Sequence, residues 1–272
     1  MNRKVLAVPY AVWILGFIII PLCFIFGRAF TTAEGAFTLS NIFAIVDPLH
    51  RKALVLSLEL AFLCTTICII LAYPLALIVR NSKMKSSGVI MLILIMPMWM
   101  NSILRILALQ MILSNNGILN FVLTSLGLQP LQIINTKGAI VLGMVYDFLP
   151  YMILPIMNSI LAIPQDYVEA ARDLGANKFQ IFWRIIFPLS LPGVGSGITM
   201  VFVPSMTAFV ISNVLGGGKI QLLGNIIEEE FMTTMNWNLG SGLSVALMVF
   251  ILITSFAFGG GEKKSEGGRM LW

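Results

Sequence analysis

Six long apolar stretches constrain this chain more than any other feature: residues 5–26, 54–79, 89–113, 139–163, 193–215 and 243–258, the last extending back to Leu239 if its start is set early. A helix of about 20 apolar residues crosses the hydrocarbon core of a bilayer. No water is available there, so each backbone N–H and C=O must be satisfied within the segment, which a helix does. The runs lack the alternation of a barrel wall. They predict an all-α integral membrane protein with six transmembrane helices. Composition excludes the alternatives. Hydrophobic residues make up 58% of the chain and charged residues 11%, against about 25% charge in a soluble domain. A soluble enzyme, a disordered chain and a nucleic-acid binder are therefore excluded. The net charge of +5 is spread between apolar blocks and forms no single basic patch.

The first stretch follows Arg3 and Lys4. It is longer than the roughly 7–15 residues of a signal-peptide core, and no small-residue cleavage site follows promptly, so we read it as a retained span. Lysine and arginine then set sidedness. Eleven of the 17 fall at one set of segment ends; five (Arg28, Arg51, Lys52, Lys137 and Lys219) fall at the other, and Arg105 lies inside a span. Positive charge favours the cytoplasm, so both termini are expected there. Residues 1–258 read as one transmembrane domain, and the Gly-rich 259–272 as a solvated cytoplasmic tail. Cys23, Cys64 and Cys68 all lie in apolar runs and make neither a disulfide framework nor a metal site.

Between the fourth and fifth stretches lies a polar–apolar segment, 164–190. Asp166 with Glu169 after Pro164 is a capping-box pattern. Gly175 tolerates a left-handed cap and is expected to stop that helix. Asn177 with Gln180 repeats the start signal. The segment thus predicts a short helix, a sharp glycine turn and a second helix. Val168, Ala171 and Leu174 stand at helical spacing, as do Phe179, Phe182 and Ile186. Such amphipathic helices suit either a groove on a partner protein or the lipid headgroup layer.

The residues Glu169-Ala170-Ala171, then Gly175, Ile185 and Phe187-Pro188 resemble the EAA loop of bacterial ABC-transporter permeases, with Phe-Pro in place of the usual final Leu-Pro. Further elements resemble the spermidine/putrescine permeases: Leu71–Ala76, Met96–Ser102 with Arg105, Asn116–Asn120, and Leu215–Lys219 followed by Leu222–Asn225. Related permeases for iron, thiamine or opines share several of these. The resemblance implies the type I ABC importer permease fold, with Glu169, Ala170, Ala171 and Gly175 in coupling helices that sit in a cleft of an ATPase. It implies a heteromeric polyamine importer in the bacterial cell membrane. Its other parts would be two ATPase copies, a second permease subunit and an external polyamine-binding protein. The chain has no phosphate-binding loop of its own: Asn213 stands where the first glycine of Gly216-Gly217-Gly218-Lys219 should be, and Ile220 where Ser or Thr should. No cofactor is expected on this chain, and ATP with Mg is used by the partner ATPase.

Three ionisable residues lie within spans: Glu59, Arg105 and Asp147. A charge at a helix centre costs about 2.5–3.5 kcal/mol on insertion scales, so such residues face protein or water. All three fall in the outer half of their spans, roughly 8–12 Å from the ends at about 1.5 Å per residue. One expectation is an outward cavity in which Asp147 and Glu59, with Trp99, Tyr146 and Tyr151 as aromatic faces, replace the water lost by an ammonium group. The competing expectation is a structural ion pair between Arg105 and Asp147. Glu228–Glu230 read as a solvated run, Trp237 as an interfacial anchor, and His50 carries no assignment. Pro97, Pro150, Pro155 and Pro204 are expected to interrupt spans, with freed carbonyls or kinks beside them.

Overall fold

The computed structural model describes residues 8–81 and 87–259. Arg3, Lys4, Lys83, Lys85, Lys263, Lys264, Arg269 and the glycine-rich tail after 259 lie outside the described residues. Within them the chain is helical, apart from loops and one isolated bridge between Thr31 and Phe37. Six helices are long and apolar enough to cross a membrane.

The first, α1 (Val8–Ala29), contains a π turn at Leu15–Ile19, where the Ile20 N–H bonds the Leu15 carbonyl. Pro21 follows at once. Proline has no N–H to donate, and its ring clashes with the carbonyl four residues back. Widening one turn to an i→i+5 bond moves that carbonyl aside. A short α2 (Ser40–Phe43) leads to α3 (Pro48–Asn81), which carries Pro74 in its interior. The start of α3 is held by His50, whose Nδ1 lies 2.6 Å from the Ala44 carbonyl.

The third apolar stretch is not one helix. It divides into α4 (Ser87–Ile95), a 3-10 turn Met96–Trp99, and α5 (Ser102–Leu113). Pro97 starts the tight turn and Met100 is extended. Asn101 then caps a new helix, its Oδ1 accepting from the N–H of Ile103 at 2.9 Å and Leu104 at 3.3 Å. A helix α6 (Ile118–Ser125) follows α5 after a tight turn, and Ser102–Ser125 together form the third segment long and apolar enough to cross a membrane. Gly117 makes that turn possible, since a β-carbon there would strike the carbonyls of Met111 and Ile112. Asn120 is buried at this corner and bridges Ser114, Asn115 and Leu131.

The centre of the molecule is α3, α7 (Lys137–Leu161) and the long α9 (Lys178–Met206). Small residues let α7 and α9 approach: a β-carbon on Gly193 would collide with Ser159 and the Pro155 carbonyl. Cys64 and Cys68 are fully buried in this core. Pro150 and Pro155 lie inside an unbroken α7. Two contacts fix α3 parallel to α7: Glu59 with Lys137 near their starts, and Arg80 donating to the Ile160 carbonyl near their ends.

The fifth stretch also departs from expectation at both ends. The second short helix expected after Asn177 and the first part of the span 193–215 are one helix up to Met206. A second π turn, Phe182–Ile186, absorbs Pro188 as the first absorbs Pro21. The chain then turns at Ala208 (φ −76°, ψ 53°), with Phe209 N–H bonded to the Thr207 carbonyl at 2.8 Å, an inverse γ-turn. A separate α10 (Phe209–Gly216) and α11 (Leu223–Met232) follow. The last span, α12 (Trp237–Gly259), begins earlier than residue 243 and takes in Gly259, set above at the head of the tail. Asn236 accepts from the Leu239 N–H at 3.2 Å near its start. It packs on α1, α2 and α11, with Gly242 against the Asn41 backbone.

Candidate functional site: a helical hairpin at one end of the bundle

After α7 the chain leaves the core and forms α8 (Gln165–Asp173), then turns sharply into α9. The capping box expected at Asp166 and Glu169 is absent. Pro164 is the residue before the helix, and Asp166 lies within the first turn. There its carboxylate complements the positive helix end, as Arg172 complements the negative end. Proline with its fixed φ starts the helix without a side-chain cap.

The helix ends as the glycine suggests. Gly175 has φ +82°, the Ala176 N–H bonds the Ala171 carbonyl and the Gly175 N–H bonds the Arg172 carbonyl, both at 2.9 Å. This is a Schellman cap, and only glycine takes that φ without strain. Asn177 then opens α9 with a reciprocal capping box to Gln180, both bonds 2.9 Å.

Val168 is the one buried residue of α8. Glu169 and Ala170 are exposed, and Ala171 is half-buried. The apolar tip is bare: Leu174 is 89% and Phe179 71% exposed. The expected apolar faces are therefore split. Val168, Phe182 and Ile186 pack inward, while Leu174 and Phe179 face out. Behind the hairpin, Tyr73 bonds Ser190 at 2.6 Å and meets Phe182 edge-on at 5.7 Å, and Trp183 lies 5.1 Å from Phe187. A firm aromatic base thus carries an exposed apolar tip.

The residues expected to recognise a cation are not brought together. Arg105 (4% exposed) and Asp147 (7%) form a buried ion pair. The same guanidinium donates to the Pro97 carbonyl at 2.9 Å and lies 5.7 Å from the Tyr146 ring centroid. The pair thus ties the break before α5 to α7. Glu59 is paired instead with Lys137 at 3.2 Å, both exposed. Trp99 is 77% exposed at the break, and Tyr151 packs edge-on to Phe148.

At the end opposite the hairpin, polar groups missed in the sequence do structural work. Asn225 accepts from Leu222 N–H at 2.9 Å and donates to the Asn213 side chain at 2.7 Å and the Phe209 carbonyl at 3.2 Å. Ser57 accepts from Leu223 N–H at 2.9 Å, and Gln110 donates to the Val214 carbonyl at 2.8 Å. A polar residue within an apolar run was the available signal for Ser57 and Gln110, whereas Asn225 lies outside the six runs. Glu228, Glu229 and Glu230 each have a local partner, in Asn213, Gln221 and Thr234. Trp237 packs against Phe231 and Phe24. Among the described residues no group of three or more His, Cys, Asp or Glu is placed to hold a metal.

Comparison with known proteins agrees with this arrangement. Residues 65–259 match the family described as binding-protein-dependent transport system inner membrane component. The chain is 34% identical to the spermidine/putrescine transport system permease protein PotB of Haemophilus influenzae, over 95% of this chain and 94% of that protein. It is 38% identical to the PotB protein of Escherichia coli K12, over 87% and 89%. Its fold is similar to that in the crystal structure of a bacterial alginate ABC transporter in complex with an alginate pentasaccharide-bound periplasmic protein. The TM-score is 0.79 at 15% identity, covering 94% of this chain and 91% of that one. A six-span bundle with a capped helical hairpin, matched over most of its length, belongs to the family of binding-protein-dependent transport system inner membrane components.

Proposed function

We propose that this chain is a permease subunit of an ATP-driven spermidine/putrescine importer and supplies half of its translocation pathway. The observation that carries this reading is the likeness to the PotB permeases over nearly the full length of both chains. In this reading the hairpin around Glu169, Ala170, Ala171 and Gly175 lies in the cytoplasm and docks into one of two ATPase copies, which use ATP with Mg. The bias of lysine and arginine supports that sidedness, and the bare Leu174 and Phe179 supply an apolar tip for a groove. A second permease completes the pathway, and an external binding protein delivers the polyamine. ATP-driven closure of the partner moves the hairpin. The aromatic base under α9 transmits that movement into the bundle as a rigid-body change between outward- and inward-facing states.

Asp147 acts in packing: its carboxylate already faces Arg105, and Glu59 faces Lys137, so the aromatic faces of Trp99 and Tyr151 and the second permease's surface are left to meet the polyamine ammonium groups. The test is to purify the chain with its ATPase, second permease and binding protein, and to measure ATP hydrolysis with the binding protein loaded by spermidine or putrescine. Stimulation by a loaded protein is the expected result. Stimulation by another solute class, with none by either polyamine, would assign a different cargo.

A further inference from the structure

The end of the bundle opposite the hairpin holds a cavity of about 220 Å³ that the transport reading does not use. Three lysines from three separate elements line it: Lys52 near the start of α3, Lys137 at the start of α7, and Lys219 in the turn after α10. Its other walls are mostly apolar, with Ala53, Leu56 and Ile226 among them. Leu49 is both a wall residue and largely exposed, so apolar surface continues from the cavity to the outside of the molecule. Among the described residues, Lys137 has Glu59 as its carboxylate at 3.2 Å, and Lys52 and Lys219 have no ion-pair partner. The lining therefore carries net positive charge, and one carboxylate, that of Glu229, accepts from the wall residue Gln221 at 3.5 Å. The amino-terminal ends of α3 and α7 add to it.

The level in the bilayer identifies the ligand chemistry. With 34 residues, α3 is about 51 Å long at 1.5 Å per residue, well beyond a hydrocarbon core of about 30 Å. The apolar run of α3 starts only at residue 54, so Lys52 falls just outside it, at the level of the phosphate layer. Cations above an apolar floor at that level suit an anion that is itself amphiphilic. We propose that this cavity is a binding site for the headgroup phosphate of an anionic phospholipid such as phosphatidylglycerol, the lysines holding the phosphodiester and the apolar walls the start of the acyl chains.

A free phosphate ion offers the same anionic group without the chains, so the experiment separates the two. Native mass spectrometry on the purified full complex would titrate phosphatidylglycerol against phosphatidylcholine, for the wild type and for the double variant Lys52→Gln/Lys219→Gln. One lysine near an anionic headgroup contributes about fivefold in affinity (about 1 kcal/mol, at 1.4 kcal/mol per tenfold). The wild type is expected to prefer phosphatidylglycerol, and the double variant to lose roughly 25-fold of that preference. Lys178→Gln, at the opposite end, is expected to keep it. Retained ATP hydrolysis in the double variant would show that the complex is intact. If the complex falls apart, wild-type competition between the two lipids, with inorganic phosphate as competitor, still decides. Equal binding of both lipids, an unchanged preference in an intact double variant, or displacement of the lipid by millimolar inorganic phosphate would each overturn the assignment.

Discussion

Arg105 organises more of this molecule than its single charge suggests. It joins a carboxylate on α7, a carbonyl within the 3-10 turn, and the face of Tyr146. Removing one partner of a buried pair leaves the other uncompensated, at about 3–5 kcal/mol, whereas replacing both by apolar residues of similar size is often neutral or stabilising. We expect Arg105→Ala to lower the thermal stability of the detergent-solubilised chain strongly. The double replacement Arg105→Met/Asp147→Leu should recover most of the loss, read as a double-mutant cycle. Equal losses in the single and double variants would show that neither side chain is held by the other. The sequence made this pair foreseeable, since two opposite charges at matching depth in adjacent apolar runs have few other partners. It did not disclose that Glu59 would find Lys137, because that contact depends on α7 starting at Lys137, before its apolar run, and on how α7 lies against α3.

At the level of helices, local chemistry was legible wherever it involved adjacent residues. The glycine stop at Gly175 and the Asn177–Gln180 box are backbone rules within a few positions. Breaks inside apolar runs were not legible, because hydrophobicity reports burial in lipid and says nothing of continuity. The stretch 89–113 reads as one helix until Asn101 is seen capping a second one. Likewise 178–206 reads as two pieces until the π turn before Pro188 is seen to keep it whole. That turn makes a prediction. Pro188→Ala restores the missing N–H, so the turn can revert to ordinary α geometry and rotate the hairpin relative to the span. We expect the variant to insert normally and to lose stimulation of ATP hydrolysis by loaded binding protein. Labelling of single cysteines along 178–186 should also shift its periodicity. Unchanged labelling and unchanged stimulation would show that the π turn has no mechanical role.

Across the whole molecule, six apolar stretches were enough to give the class of fold, because the bilayer admits so few backbone solutions. They could not reveal which helices form the centre. The α3, α7 and α9 core depends on small residues such as Gly193 at particular contacts, while α1 meets the rest mainly through α12 and is otherwise bare. An outer helix left bare and a hairpin tip left bare have different meanings. Lipid covers the first at no cost. The second stands on a firm aromatic base at one end of the bundle, where a protein groove fits it. The most direct test is spermidine uptake into proteoliposomes containing the complete importer, with ATP supplied on the ATPase side, for the wild type and for Leu174→Glu. The account predicts ATP-dependent uptake in the wild type. In the variant it predicts uptake at background and loss of the ATPase from the purified membrane subunits. Uptake by the membrane subunits without the ATPase, or a Leu174→Glu complex that assembles and transports as well as the wild type, would contradict it.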